Sequence, residues 1–292
     1  MDHFLRPHRT AVCYHPAVAG ARELAESLAQ AAAADGRHSW VDALPDPDDD
    51  ETPFLEQLPE ADLLICVGGD GTVLHAAEFA AAVDVPIFGV RMGRLGFLTE
   101  VTGEAAKAGL DAVLRGDAQI EVRATLEVRI DGGEPVYALN DVVIGRETLG
   151  RTVSVAARID GVLLAEYRAD AVLIATATGS TGYALSVGGP ILPPTSEELI
   201  LVPVAPHLTR ANPLVLRSDV ALRLTVERGY QAVVTVDGLH ERTIGSGAVV
   251  EVGHSDRPVR FVRLGGENQF YVNIAQRLQW LRLDHVLEDP EA

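Results

Sequence analysis

Residues 62–72 read Asp62-Leu63-Leu64-Ile65-Cys66-Val67-Gly68-Gly69-Asp70-Gly71-Thr72, an apolar run that passes directly into glycines. A continuous apolar run of this length is typical of a parallel strand covered on both faces. Apolar residues at helical spacing follow from Thr72 to about Ala82, so the glycines fall in a strand-to-helix turn. Glycines let the backbone approach a phosphate, and a helix N-terminus directs free N–H groups at it. The stretch predicts an α/β fold with an anion site in residues 68–72.

The same alternation of strands and helices flanks this turn. Before it, the pattern predicts a strand over 10–15 and a helix over 18–34; after it, a strand over 85–90 and a helix over 104–114. Such alternation is typical of an open, mostly parallel sheet covered by helices. We therefore expect an α/β nucleotide-binding domain over residues 1–119.

From about Ile120 the sequence changes to short alternating segments with turn signals such as Asp131-Gly132-Gly133 and Asp160-Gly161. Little helix separates these segments, which predicts a β-rich domain over residues 120–270. The tail, residues 271–292, is apolar at helical spacing from 273 to 283, and we expect it to pack back on the first domain. The strands predicted in the second domain include 171–175, 199–204, 220–226, 232–236 and 248–252.

Composition excludes several classes of protein. The formal charge of −18 disfavours general binding to nucleic acid, because it repels a polyphosphate backbone. No apolar run approaches the roughly 18 residues that span a membrane, and residues 1–6 lack the layout of a secretory signal. Cys13 and Cys66 lie in apolar runs, so neither a disulfide framework nor a zinc cluster is expected. We expect a cytoplasmic protein that does not bind membranes.

The lysine content limits how phosphate could be bound. Lys107 is the only lysine, and Ala106 precedes it, so the phosphate loop that ends in Gly-Lys-Ser/Thr is absent. The segment around Lys107 is predicted to be helical, whereas a protein kinase needs its lysine on a strand. Any phosphate would therefore be held by backbone amides, arginines and magnesium.

Asp70 is the leading catalytic candidate. A carboxylate among phosphate-binding glycines would repel the ligand unless it had another task, such as accepting a hydroxyl proton or holding magnesium. The alternative is a helix cap in an ordinary strand-to-helix turn.

A second glycine and hydroxyl cluster, Thr176-Ala177-Thr178-Gly179-Ser180-Thr181-Gly182-Tyr183, also follows an apolar strand. It could bind a phosphate or a ribose through its free amides, or it could only turn the chain. Two such loops, one in each domain, predict a nucleotide in the cleft between them.

These motifs together resemble NAD kinases. The resemblance covers nearly the whole chain, although the glycine-aspartate-glycine-threonine element is shared with diacylglycerol and sphingosine kinases. The matching segments are 68–72, Gly93-Arg94-Leu95-Gly96-Phe97-Leu98-Thr99, Asn140-Asp141, Asp170 with 178–183, Gly188-Gly189-Pro190, Pro206-His207 and Asp237-Gly238.

The resemblance implies an enzyme that moves a phosphoryl group from ATP to the adenosine ribose of NAD, with magnesium as cofactor. Asp70 would draw the proton from the ribose 2′-hydroxyl, and Gly68, Gly69 and Thr72 would shape the phosphate pocket. It also implies a homodimer or homotetramer, with some dinucleotide-site residues reached from a neighbouring subunit. The implied NAD-binding residues are Gly71, Phe97, Asn140, Asp141, Asp170, Thr178, Thr181, Gly182, Tyr183 and Ser186.

Four positions depart from the family pattern. Arg91 stands where asparagine is usual, Asp141 replaces the commoner glutamate, Ala177 replaces a proline, and Asn212 replaces an arginine. The shorter side chain of Asp141 could require water to reach the ribose.

Three other functions fit the sequence less well. A diacylglycerol-type lipid kinase would need a membrane-docking surface, which the negative charge and the absence of basic clusters oppose. A non-catalytic dinucleotide-binding regulator would keep the fold but not depend on Asp70. A dehydrogenase is disfavoured because no predicted strand is followed by Gly-x-Gly-x-x-Gly. The histidines and the acidic run 48–51 lack the spacing of metal ligands, so no protein metal site is predicted.

Overall fold

The computed structural model describes residues 2–3, 6–45, 52–93, 96–148, 150–207, 211–227, 229–266 and 268–278. The predicted acidic run at 48–51, Arg94, Leu95 and the tail beyond residue 278 lie outside these residues.

The first part of the chain alternates strands with helices as predicted. Its strands are β1 (Asp2–His3), β2 (Arg9–Tyr14), β3 (His38–Ala43), β4 (Leu63–Gly68), β5 (Ile87–Arg91), β6 (Val101–Thr102) and β7 (Gln119–Arg123). Its helices are α1 (Ala21–Ala34), α2 (Thr52–Gln57), α3 (Asp70–Val83) and α4 (Ala106–Arg115).

The first helix and the third differ from their predicted starts. Helix α1 begins three residues later than predicted because Gly20 has a left-handed backbone. Helix α3 begins two residues earlier, at Asp70, because the extended backbone of Gly69 forms the N-cap. The aspartate therefore lies in the first turn of a helix rather than in a loop before it.

Nearly all the regular elements of the second part are strands, as predicted. Its short helix α5 (Tyr183–Ser186) follows a single 3₁₀ turn at Gly179–Thr181, and the last described helix is α6 (Gln269–Arg277). The strands are β8 (Leu126–Ile130), β9 (Val136–Ala138), β10 (Asp141–Arg146), β11 (Val153–Ile159), β12 (Val162–Ala169), β13 (Ala171–Ala175), β14 (Leu199–Val204), β15 (Leu214–Leu216), β16 (Leu222–Val226), β17 (Ala232–Val236), β18 (His240–Ile244), β19 (Val249–His254) and β20 (Val259–Arg263).

The first sheet has the order β1-β7-β20-β5-β4-β2-β3, with β6 paired to β5. Strands β3, β2, β4, β5 and β20 run parallel, whereas β7 and β1 add antiparallel pairs at one edge. Two of these strands, β7 and β20, contain residues beyond the predicted boundary at 119 and 120. Sheet pairing joins them to the first sheet, since Phe261 pairs with Ile87 and Glu121. This sheet and its helices form the first lobe. The predicted domain limits remain a prediction.

The second lobe is a sandwich of two antiparallel sheets. Their orders are β15-β14-β13-β10-β17-β18 and β12-β11-β16-β19-β8-β9. Alternate residues of both sheets share one hydrophobic core, which includes Val142 and Ile174 from one sheet and Val155, Leu224 and Val250 from the other. Within the described residues, no helix has the length and apolarity needed to cross a membrane.

Candidate active site

The carboxylate of Asp70 is held by a second segment of the chain. Oδ2 accepts a hydrogen bond from the N–H of Phe97 at 2.7 Å, and Oδ1 accepts one from the N–H of Leu98 at 3.2 Å. The side chain remains 31% exposed. The carboxylate thus fastens the start of α3 to the segment after β5, instead of capping its own helix.

Around Asp70, the turn predicted for phosphate has an ordered backbone. The hydroxyl of Thr72 accepts a hydrogen bond from the N–H of Gly69 at 3.2 Å, and the carbonyl of Gly68 accepts one from Met92 at 2.8 Å. The first N–H groups of an α-helix have no partner within the helix, and they present the positive end of its dipole. Gly71 is exposed at this end. The geometry suits an anion next to Asp70.

The glycine and hydroxyl cluster at residues 176–183, here called the second loop, packs against the start of β10. Thr176 Oγ1 donates to the carbonyl of Leu139 at 2.5 Å, and its N–H donates to the carbonyl of Asn140 at 2.9 Å. Gly179 lies so close that a Cβ atom there would be 2.1 Å from the Asn140 carbonyl oxygen. Only glycine allows this approach, so the loop and the Asn140-Asp141 pair form one unit.

A turn between β17 and β18 holds the same pair from the other side. The carboxylate of Asp237 accepts N–H hydrogen bonds from Leu139, Asn140 and Asp141 at 2.7, 2.8 and 2.9 Å. Burial raises the pKa of Asp237 to about 6, even though these three bonds act to lower it. Burial, and next the charge of Asp237, raise the pKa of Asp141 to about 7. The sequence resemblance included Asp237 but assigned it no role.

Both loops lie at the boundary between the two lobes. Leu139 belongs to the same hydrophobic cluster as Val73 and Ala76 of α3. One turn further along α3, Glu78 Oε1 lies 2.8 Å from His240 Nε2 at the start of β18. Leu139, which is bonded to the second loop, therefore packs with the helix that carries Asp70.

Most of the other predicted residues belong to the second loop, residues 176–183, or to the short helix α5 that continues it. Thr178 is buried, and its Oγ1 has no hydrogen-bond partner within the described part of the chain. The hydroxyl of Thr181 donates to the carbonyl of Thr178 at 3.1 Å. Tyr183 and Ser186 are exposed on α5. Gly182 precedes that helix, near Asp141.

Asp170 is not brought to this loop within one chain. It precedes β13 and forms an ion pair with Arg146, whereas the loop follows the other end of that strand. At about 3.3 Å per residue, Asp170 and Thr176 are separated by about 20 Å along the strand.

A buried charge network, absent from the sequence analysis, supports the segment that binds Asp70. Glu121 Oε1 accepts from Arg123 and from Arg263, at 2.8 and 3.0 Å, and Arg263 also contacts Glu100 at 3.1 Å. Arg263 donates to the carbonyl of Leu98 at 3.2 Å as well. Burial, and then the charge of Arg263, lower the pKa of Arg123 to about 10. The network fixes the segment whose amides orient Asp70.

Arg277 of α6 also reaches this segment, and the sequence analysis did not identify it. Its Nη1 lies 3.7 Å from Asp70 Oδ2, and its guanidinium carbon lies 4.3 Å from the centre of the Phe97 ring. Its position in an apolar tail gave no signal of this contact.

Of the four departures from the family pattern, Arg91 lies nearest the phosphate turn. It is the register partner of Gly68, and its Nε is buried without a hydrogen-bond partner within the described residues. The described part of the chain contains no group of three or more His, Cys, Asp or Glu side chains arranged to hold a metal ion.

Comparison with known proteins decides the family. A model described as the ATP-NAD kinase N-terminal domain matches residues 11–118, and one for the C-terminal domain matches residues 139–264. An NAD kinase of Dehalococcoides mccartyi is 34% identical over 273 residues, which cover 92% of this chain and 95% of that one. The chain belongs to the NAD kinase family. It is therefore an enzyme of the phosphotransferase class.

Further relatives agree with this assignment. An NAD kinase of Chloroflexus aurantiacus is 38% identical over 75% of this chain and 81% of its own length. The crystal structure of an Archaeoglobus fulgidus NAD kinase in complex with ATP superposes with a TM-score of 0.75 at 26% identity, covering 94% of this chain and all of that one. A yeast NADH kinase complexed with NADH has a TM-score of 0.79 at 22% identity, over 95% of this chain and 90% of that one, and supports the fold alone.

Proposed function

We propose that this enzyme transfers the γ-phosphoryl group of ATP to the 2′-hydroxyl of the adenosine ribose of NAD, with Asp70 as the general base. The observation that carries the proposal is the carboxylate of Asp70, which is oriented by two backbone amides, partly exposed and located at the N-terminus of α3.

In the proposed reaction, Asp70 takes the proton of the 2′-hydroxyl as that oxygen bonds to the γ-phosphorus. The bond from the phosphorus to the β–γ bridging oxygen breaks, and its electron pair leaves with ADP. Such transfers depend on in-line positioning and charge stabilisation more than on covalent assistance. The N-terminus of α3, where Gly71 is exposed, would suit the phosphate charge, and Gly68, Gly69 and Thr72 would shape that pocket.

The dinucleotide is proposed to lie along the boundary between the lobes. Asn140 and Asp141 would contact its ribose, and Asp237 would position them through their amides. The remaining contacts would come from Gly71, Phe97, Thr178, Thr181, Gly182, Tyr183 and Ser186.

Asp170 is proposed to act on the site of a second copy, in a homodimer or homotetramer. Its distance from the loop after β13 leaves a one-chain site without it. The edge strand β12 exposes Val162, Leu163 and Leu164, at 70%, 47% and 41%, as an apolar surface for that copy.

Magnesium is proposed to enter with the triphosphate. Mg²⁺ in kinases is commonly held by phosphate oxygens, water and one or two carboxylates, and the described residues contain no three-residue protein cluster that would hold it otherwise. It would neutralise charge on the phosphates, and Asp70 is the carboxylate near them. A cytoplasmic location is also proposed; the free, buried thiols of Cys13 and Cys66 suit a reducing compartment.

The test is NADP formation by purified protein. Wild type, Asp70→Asn and the exposed-surface control Asp111→Asn are incubated with magnesium, NAD or NADH, and either ATP or polyphosphate. We expect Asp70→Asn to lose about 10²- to 10⁴-fold in turnover while NAD binding persists. The control should match wild type.

Three results would count against the proposal. Absence of NADP and NADPH with either donor would remove the activity and favour a dinucleotide-binding regulator. Transfer to diacylglycerol instead would favour a lipid kinase. Unchanged turnover in Asp70→Asn would exclude the proposed base.

A further inference from the structure

Helix α6 brings Arg277 beside Asp70. The guanidinium stacks on the Phe97 ring at 4.3 Å, with Nη1 3.7 Å from Asp70 Oδ2. Stacking fixes the plane of a guanidinium and leaves its N–H donors free at the edges. We propose that Arg277 binds the terminal phosphate of the nucleoside triphosphate donor and stabilises its charge during transfer. This rests on the proposed function.

The negative charge around Asp70 favours such a residue. The chain has a formal charge of −18, and its only lysine, Lys107, lies exposed on α4. A phosphate placed next to the carboxylate would be repelled unless a cation lay close to both. Arg123 and Arg263 are engaged by the buried carboxylates of Glu121 and Glu100. Among the residues that the structure describes, Arg277 is the arginine with an ion pair to Asp70 itself.

The ion pair between Arg277 and Asp70 is suited to exchange. At 3.7 Å it is longer than a hydrogen bond, and the two side chains are 39% and 31% exposed. Both oxygens of Asp70 already accept backbone N–H groups from Phe97 and Leu98. Exposed pairs of this kind are weak, whereas a guanidinium binds phosphate in a bidentate geometry. A donor phosphate can therefore replace the carboxylate as the partner of Arg277 without disturbing the orientation of Asp70.

There is space for a donor beneath α6. A cavity of about 450 Å³ is bounded by Phe97, Gly265, Tyr271 and the Pro193-Pro194 segment of the second lobe. Ile274 is the buried residue of the helix, while Tyr271 and Val272 are 59% and 45% exposed. Helix α6 thus rests over an opening that shares Phe97 with the Arg277 contact and is also lined by Glu100, Glu121, Arg123 and Arg263. Few packed contacts hold the helix against an incoming ligand.

The experiment compares Arg277→Gln, Arg277→Lys and the control Arg22→Gln, whose arginine forms an exposed pair with Glu26 on α1. kcat and KM are measured separately for ATP and NAD, together with NAD binding and thermal unfolding. We expect Arg277→Gln to lose at least about 100-fold in kcat/KM for ATP. NAD affinity and the unfolding midpoint should match the control, and lysine should recover part of the loss.

A kcat/KM for ATP within threefold of wild type would overturn the proposal. A fold-loss in NAD affinity as large as the fold-loss in kcat/KM for ATP would also overturn it. So would an unfolding midpoint clearly below that of the control, because either result indicates a structural role. Calorimetric binding of inorganic tripolyphosphate separates this inference from the proposed function. Suppose that wild type forms no NADP but binds tripolyphosphate at least tenfold more tightly than Arg277→Gln. The proposed function then fails, while the contact between Arg277 and phosphate is supported. Equal binding by the two proteins would refute it.

Discussion

Gly96 and the carboxylate of Asp70 are in such close contact that no side chain fits between them. A Cβ atom built on Gly96 would lie 1.8 Å from Asp70 Oδ1. The next two residues, Phe97 and Leu98, supply the N–H groups that bind that carboxylate. The absence of a side chain at 96 therefore lets the chain close over the proposed base.

Gly96→Ala should displace Asp70 and lower turnover by about 100-fold, since a shift of about 1 Å at a reacting group can have that effect. We expect the free energy of unfolding to fall by only about 1–3 kcal/mol, the usual cost of overpacking. Steady-state kinetics and urea denaturation measure the two effects. Gly253→Ala is the control, because a Cβ there meets nothing within 4 Å. Turnover within threefold of wild type would show that Asp70 is not sensitive to this contact.

The stability of the unliganded protein should depend on pH through Asp141. Burial raises its pKa to about 7, whereas an unfolded aspartate titrates near about 3.9. The folded state thus holds a proton that the unfolded state has lost, and this contribution, present below about pH 4, disappears as pH rises through about 7.

Asp141→Asn removes that dependence. Relative to wild type, the variant should gain about 3 kcal/mol in the free energy of unfolding between pH 5 and pH 8, at about 1.4 kcal/mol per pKa unit. Urea denaturation at both pH values measures this difference, with Asp111→Asn as the exposed control. Parallel pH curves for wild type and Asp141→Asn would contradict a raised pKa.

The buried network should contribute far more to stability than its exposed counterpart. Glu121→Gln leaves two buried guanidinium groups without their shared carboxylate, and we expect a loss of about 3–5 kcal/mol. Glu127→Gln is the matched control, because Glu127 pairs with Arg129 at the same spacing on β8, with 31% and 42% exposure. That change should cost less than about 1 kcal/mol. Similar losses in the two variants, measured by urea denaturation, would disprove the difference.

Assembly should depend on the exposed face of β12. Leu163→Lys places a charge on the proposed contact, so we expect a smaller molar mass by light scattering and a parallel loss of turnover, because Asp170 could not reach a second copy. Val215→Lys on β15, the edge of the other sheet, is the control with 50% exposure. A monomeric wild type, or an unchanged assembly in Leu163→Lys, would argue against this surface.

Local sequence patterns predicted much of the fold. Four strands could be predicted from their own residues: β4, with six buried residues, and the apolar runs at β13, β14 and β17. Nearby residues determine a strand that is buried on both faces or a short strand that alternates. Sheet membership was harder. Strand β20 lies within the range predicted for the β-rich domain, 120–270, yet it pairs with β5 and β7, which are distant along the chain.

The candidate site shows the same division between local and distant effects. Asp70 could be proposed as a catalytic candidate from the sequence because a carboxylate among glycines is electrostatically unusual. The roles of Asp237 and Arg277 could not, since their partners at 139–141 and at Asp70 lie far away in sequence. Glu121 and Arg123 differ from the exposed Glu127 and Arg129 only in burial, which depends on the packing of the whole chain.

The position of β20 has a consequence for synthesis on the ribosome. This strand occupies the place between β5 and β7, yet β5 ends at Arg91 and β20 begins at Val259. At about 5–20 residues per second, translation needs on the order of ten seconds or more to cover that interval. Until then the nascent first lobe has an unfilled edge at β5, where it is open to mispairing with other chains. Completion of the lobe that carries Asp70 is therefore delayed until the chain has been made beyond Arg263.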